Sequence, residues 1–302
     1  MPNLFGRMYV MEIESIDKVF TIGGQIGSFN PAGTAASKKK ISQTTYEDFR
    51  VSFNIVRTLG KTPDKATFEI YNVVEGKWAS VDFKKNKAKL RFHCGYRQIE
   101  PDLLFSGQIT NYERIPDKLD VITHFTCGDG QDALTKANIN KSYNAGMDIA
   151  TIMDDVIKGI KDEGIEIAGN IKDKLAGIKA ESKKADTGLS ISGLLSDTLE
   201  DLLTPFNKTF TIQDDVLKIV EIGQEIATTI PTLITPETGL IGSPVKTKDG
   251  LEFVSLIQPG KFNPGQFVEI ISRDFDGKYK IVKSNFVGDT HGNDWYVRGL
   301  CI

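Results

Sequence analysis

The sequence predicts a mainly β fold of α+β type, with an α-helical segment set between two β-rich ends. Three observations predict it. From Phe49 the apolar residues alternate with a period of two, which is a strand with one face toward a core. From Ile149 the period becomes 3.6: Ile149, Ile152, Met153, Val156, Ile157 and Ile160 fall on one helical face. At 235–244 two prolines and two glycines mark a boundary, and short strands return after it.

Taken in order, Tyr9, Met11, Ile13, Val19, Phe20 and Ile22 read as a strand or hairpin over 8–22. A long loop rich in Gly, Ala, Ser and Lys follows over 23–48. It carries Lys38, Lys39 and Lys40, either a solvated stretch or a contact for an acidic partner surface or passing DNA. Phe49, Val51, Phe53 and Ile55 then alternate inward, Thr62-Pro63-Asp64 turns the chain, and Ala66, Phe68 and Ile70 form the return strand. Near 76–88 the pattern is equivocal, and a helix across one face is one reading of it. Strands follow at 87–94, 102–110 and 118–127. Some seven short strands at regular spacing imply a sandwich or barrel.

Cys127-Gly-Asp-Gly-Gln-Asp132 is a turn at the edge of that first domain; its spacing fits neither phosphate-binding loop. The helix at 149–160 has Asp148 or Asn144 to cap it and Gly164 to end it. Ile171 to Asp186 is polar and Lys-rich, without a strong pattern. A second amphipathic helix starts after Ser190 or Ser192, carries Leu194, Leu195, Leu199, Leu202 and Leu203, and stops at Pro205. A hairpin follows, with Phe210 and Ile212, a turn at Asp214-Asp215, then Leu217 and Ile219. After the boundary come strands at Leu251–Leu256, Phe267–Ser272, 279–287 and 294–300, the last two joined by the turn Gly288–Asn293. The expected division is 1–130, 131–234 and 235–302.

Composition narrows the function classes. The chain has 302 residues, 40% hydrophobic and 25% charged, with a formal net charge of −3. That is an ordinary globular composition, and it argues against binding nucleic acid through a global field. The three cysteines, Cys94, Cys127 and Cys301, form no paired motif and read as buried reduced thiols, as expected for synthesis in a reducing cytosol. No secretory signal and no spanning apolar run is read.

Catalytic constellations are not read in the chain. His93, His124 and His291 are far apart and none has a ligand four residues on. Asp274-Phe-Asp276-Gly277 lacks the later ligands of a calcium loop. Asp154-Asp155 are adjacent on a helix and point apart, and Asp214-Asp215 sit in a turn. No nucleophile elbow or Cys–His arrangement is found, so no enzyme, metal or cofactor is expected. Trp295 and Tyr296 are candidate assembly contacts, with core packing the alternative for Trp295.

Several motifs together resemble the baseplate hub proteins of contractile phage tails. They are Thr58 and Pro63-Asp64 ahead of Ala66-Thr-Phe-Glu-Ile-Tyr-Asn72, then Phe105-Ser-Gly-Gln-Ile109, and Gly188 to Leu195 as a helix onset. Thr238-Gly-Leu-Ile-Gly-Ser-Pro244, Gly250-Leu-Glu-Phe253, Leu256-Ile-Gln-Pro259, Pro264-Gly265 and Gly288-Asp-Thr-His-Gly-Asn-Asp-Trp295 complete the set. Asp64 stands where the family usually has Asn. The resemblance implies two tail-tube-like β-barrels, at 1–130 and 235–302, with an inserted α+β domain at 131–234. It implies a structural virion protein made in the host cytoplasm: a homotrimer joining the tail tube to the central spike, touching other baseplate proteins. Six barrels in three copies would adapt a sixfold tube to a threefold spike, with DNA passing through the lumen unread. A tube-end or distal-tail adaptor, a cell-wall hydrolase and a carbohydrate-binding module are the rival readings.

Overall fold

The computed structural model describes residues 6–15, 18–23, 45–46, 49–73, 83, 88–96, 99–181, 187–222, 230–258 and 260–302. The helix reading near 76–88, most of the loop 23–48 and Lys38, Lys39 and Lys40 lie outside the described residues.

The chain opens with β1 (Arg7–Ser15), β2 (Lys18–Gly23), β3 (Thr45–Tyr46), β4 (Val51–Thr58), β5 (Lys65–Tyr71), β6 (Lys89–Tyr96), β7 (Ile99–Asp117) and β8 (Asp120–Gly128). The middle segment holds α1 (Gln131–Thr135), β9 (Asn138–Tyr143), α2 (Ile149–Asp162), β10 (Glu166–Ile167), α3 (Ile171–Glu181), β11 (Leu189–Leu194), α4 (Leu195–Leu203), β12 (Lys208–Gln213) and β13 (Val216–Glu221). The last segment holds β14 (Thr232–Ile234), β15 (Val245–Thr247), β16 (Gly250–Leu256), β17 (Phe267–Ile271), β18 (Asp276–Asp289) and β19 (Trp295–Cys301).

The mainly β expectation holds. One 14-stranded sheet runs β15-β16-β19-β18-β4-β5-β8-β7-β6-β1-β2-β3, with β17 on β18 and β14 on β17. Strands from both ends of the chain meet where β18 pairs antiparallel with β4, Phe286 opposite Ile55 and Val287 opposite Asn54. The period-two pattern explains the packing. Val51, Phe53 and Ile55 of β4, Phe68 and Ile70 of β5, and Phe286, Trp295 and Val297 of β18 and β19 all enter one apolar cluster. Phe53 lies tilted against Phe92, ring centres 4.8 Å apart, and meets Trp295 edge-on at 5.5 Å, a geometry that adds to area burial.

The middle segment has its own apolar cluster, built from α2, α4 and the β12–β13 hairpin: Met153, Val156, Ile160, Leu199, Leu203, Phe210 and Leu217 are among its buried residues. Three elements here differ from the sequence reading. Residues 171–181 form α3, whose Ile171, Leu175 and Ile178 are buried at helical spacing; surrounding lysines mask that narrow stripe. The second helix begins at Leu195, and 189–194 form β11 paired with β9, Ser190 opposite Ser142. Alternate Ser residues satisfy a two-stranded ribbon as readily as a helix onset, so the local pattern did not decide. The predicted end at Gly164 agrees with α2 closing at Glu163, where Gly164 at φ 89° donates its N–H to Lys161.

Gly288 shows how closely the sheet is packed. A Cβ there would lie 2.3 Å from Cζ of Phe53 and 3.0 Å from Trp295. Gly288→Val forces both rings off their positions, an overpacking expected to cost about 1–3 kcal/mol. Thermal denaturation of the variant against the parent chain checks this; an unchanged midpoint would show that the rings yield freely.

Candidate functional site: a buried charge junction

The β12–β13 turn places Asp214 at φ 58° and Asp215 at φ 63°. Two successive non-glycine residues in the left-handed region carry strain, and the contacts around them show what holds them there. Asp129, fully buried after β8, accepts both turn amides, Asp214 N–H at 2.5 Å and Asp215 N–H at 3.0 Å. The Asp214 carboxylate receives Arg57 in bidentate fashion, at 2.6 and 3.1 Å, and the Ser106 N–H at 3.1 Å. Asp215 receives the Ser106 hydroxyl and the Lys89 ammonium, both at 3.0 Å.

Arg57 is 1% exposed. Its guanidinium also donates to the Leu104 carbonyl and to Asn263 Oδ1 at 2.8 Å. Its Nε lies 3.9 Å from Asp64, whose other oxygen accepts the Thr58 N–H at 2.9 Å. The cluster therefore ties β4, β6, β7 and the end of β8 to the middle segment's hairpin and to the loop before β17. A buried charge is tolerated only when so paired.

Electrostatics follow from burial. Removal from water opposes Arg57's charge, and the carboxylates of Asp214 and Asp64 more than offset it, so its pKa stays above the ordinary value. Burial raises Asp64 to about 7 against the pull of Arg57. Burial, with Asp214, Asp215 and Asp64 nearby, lifts Asp129 well above the usual carboxylate range. Chemically this is a joint: the charged groups bond each other and backbone amides. Among the described residues, no group of three or more His, Cys, Asp or Glu is arranged to hold a metal ion.

The second feature is a pair of exposed apolar spots on the sheet, one at β15 and one at the β7–β8 turn. β15 pairs only with β16 among the described residues, and Val245 and the nearby Ile241 are 59% and 44% exposed. β6 pairs with β7 as far as Gln108, and residues 111–117 of β7 pair with β8. That half-strand leads to a turn at which Leu119 is 100% and Ile115 45% exposed.

The sequence-predicted residues distribute as follows. Trp295 is buried in the core, 2% exposed, with Arg7 5.2 Å above its ring. Tyr296, its strand neighbour, is half-buried on the other face beside Arg298. His93, His124 and His291 sit on β6, β8 and the β18–β19 turn. The three cysteines are buried and free, and burial raises all three thiols, Cys301 to about 12. Asp154 pairs with Lys158 and Asp155 with Lys141. The Gly288–Asn293 turn is held by Asp289, which accepts the amides of His291 and Gly292 and pairs with Arg50 at 2.7 Å. Sequence reading missed Arg57 and Asp129. Arg57 did leave a signal: it continues the inward series Val51, Phe53, Ile55, where a charge is anomalous.

A model of the family described as Baseplate hub gp41 matches residues 36–301. The chain belongs to the baseplate hub gp41 family. It is a structural baseplate hub protein, a component of the virion tail. No curated protein matches the hub chain. Among solved structures its fold is similar to the 43 kDa tail protein of prophage MuSo2 from Shewanella oneidensis, at 11% identity and TM-score 0.59, over 97% of this chain and 96% of that one. It is similar also to a tail protein from Neisseria meningitidis MC58, at 9% identity and TM-score 0.60, over 99% and 97%. A third is the Escherichia coli c3393 protein, a type VI secretion component described as structurally similar to T4 bacteriophage tail proteins gp27 and gp5. It matches at 12% identity and TM-score 0.56, over 84% and 73%.

Two measurements test the hub's junction. Arg57→Met strands buried carboxylates and is expected to destabilise by about 3–5 kcal/mol, read by chemical denaturation. The pH dependence has a definite sign. The folded pKa of Asp64 lies above its unfolded value, so its contribution is full below pH 3.8 and fades as pH rises through about 7. The melting temperature of the parent chain should therefore decline across that window. Asp64→Asn, which keeps an acceptor for the Thr58 N–H, should flatten the decline; an unchanged slope would assign the dependence to other groups.

Proposed function

We propose that this hub is a homotrimer that joins the end of the tail tube to the central spike, its first and last segments acting as two tube-like barrels. The observation that carries this reading is the β18–β4 ladder, which sets strands of the last segment beside strands of the first in one sheet. Two similar β units side by side, three times around an axis, present sixfold spacing on one face while the assembly keeps threefold symmetry. Tube and spike of those symmetries, together with neighbouring baseplate proteins, are the partners this arrangement fits. DNA would cross the central passage without base-specific contact, in keeping with the net charge of −3. Synthesis in the host cytoplasm fits the free, buried cysteines.

The hub is proposed to be non-enzymatic. Most of the carboxylate oxygens gathered at the junction are engaged by Arg57, Lys89 and backbone amides, contacts that suit a structural joint.

Light scattering combined with symmetry averaging of negatively stained particles tests the assembly. Three times the chain mass of 33.4 kDa, with threefold averages around a central hole, is expected. A hexamer would favour the tube-end adaptor instead. Zymography on peptidoglycan is expected to show no clearing; a cleared band would restore the hydrolase reading.

A further inference from the structure

We propose that the buried charge junction is a pH-operated latch: it clamps the β12–β13 hairpin of the middle segment to the sheet while its surplus carboxylates hold protons, and releases the hairpin when they ionise. Nothing in the latch depends on the number of copies in the assembly. Three observations carry it.

First, the charges at the junction do not balance. Four carboxylates meet there: Asp64 from the turn before β5, Asp129 after β8, and Asp214 and Asp215 from the hairpin turn. Two cations reach them directly, Arg57 of β4 and Lys89 of β6. Lys218 of β13 adds a weaker attraction to Asp64. His93 of β6 senses Asp214, but burial lowers its pKa and leaves the ring neutral near neutral pH. Asp64 and Asp129 are 1% and 0% exposed, so full ionisation would leave negative charge uncompensated away from water, which is costly. A proton on each removes the surplus.

Second, Asp64 has a place for its proton. One of its oxygens accepts the Thr58 N–H, while the buried Oδ2 has no hydrogen-bond partner. Arg57 Nε is 3.9 Å from it, beyond hydrogen-bond reach. A proton on Oδ2 therefore displaces no bond. The acidities agree, since burial raises Asp64 to about 7 and Asp129 well above the usual carboxylate range.

Third, the gripped part can leave without dismantling either body. The sheet and the middle segment keep separate apolar clusters. Outside the junction the hairpin reaches the first and last segments through single bonds, such as Gly60 N–H to the Phe210 carbonyl at 3.1 Å and the Gln213 amide to the Pro264 carbonyl at 3.0 Å. Gly128 and Gly130 flank Asp129 in the covalent link, Gly130 at φ 60°, and glycines give such a link freedom to swing. The sign follows from acids raised above their ordinary value: the grip is complete in acid and is lost as pH rises through about 7, where Asp64 ionises.

The test uses the full chain. Lys61 before β5 and Asp197 on α4 face each other across the seam, with side chains 54% and 49% exposed. Lys61→Cys and Asp197→Cys are combined and spin-labelled; the native cysteines are buried. Pulsed electron paramagnetic resonance is expected to give one short distance at about pH 6 and an added, longer population at about pH 9, reversed on return. Asp64→Asn in the same background, which still accepts the Thr58 N–H, should keep the short distance at both. A parent distance that ignores pH, or equal lengthening in Asp64→Asn, would overturn the latch. So would loss of the far-UV circular dichroism signal alongside the lengthening, because the whole chain would then be unfolding. Hydrogen exchange of the unsubstituted chain needs no variant: corrected for intrinsic rates, protection of 208–221 should fall with rising pH while β4 and β5 keep theirs. Parallel loss in all three would also overturn it.

Discussion

The buried pairing of Arg57 with Asp214 holds the parts of this hub in one arrangement. Arg57 belongs to a strand whose inward positions are otherwise apolar, and Asp214 belongs to the hairpin of the middle segment. With Asn263 from the last segment on the same guanidinium, one side chain joins all three segments. An apolar contact at that place would supply burial without direction. A bidentate guanidinium–carboxylate pair fixes both distance and orientation, which is what a part that must align other parts requires. The left-handed turn at Asp214 and Asp215 is the local strain that this alignment demands, and the grip of Asp129 on both turn amides offsets it.

The sheet does the same at larger scale. β18 spans 14 residues: its first part pairs with β17, and its second with β19 and β4. One strand thereby links the outer strands of the last segment to the strands of the first. The hydrophobic cluster follows the hydrogen bonds, since Phe53, Phe286 and Trp295 pack together across the same seam. Arg7 fastens the seam from outside, donating to the carbonyls of Asp289, Gly292 and Asn293 in the turn at its far end.

Most β elements and the first long helix were legible because each carries its own periodicity. Val51 to Ile55 alternate and β4 forms; Ile149 to Ile160 recur at helical spacing and α2 forms. Helix α3 was not legible, because three apolar side chains among lysines give a weak stripe. β11 was not, because its partner β9 lies 46 to 56 residues away, from Leu189 opposite Tyr143 to Leu194 opposite Asn138. Its pairing is a tertiary fact that local propensity does not encode. The charge junction was partly legible. An arginine on the inward face of an apolar strand, and two aspartates in the hairpin turn, are each odd alone. Only the fold shows that they answer one another, 157 residues apart.

That separation bears on what the hub can transmit. Arg57 and Asp129 grip the hairpin directly, while Gly128 and Gly130 flank the covalent link, so the junction couples the sheet to the middle segment more directly than the chain that connects them. The gripping groups are buried and cannot be replaced by water without large cost, so the two bodies move as one while the junction stays intact. A structural hub serves by keeping its parts in fixed relation. The charged joint supplies that relation inside the chain.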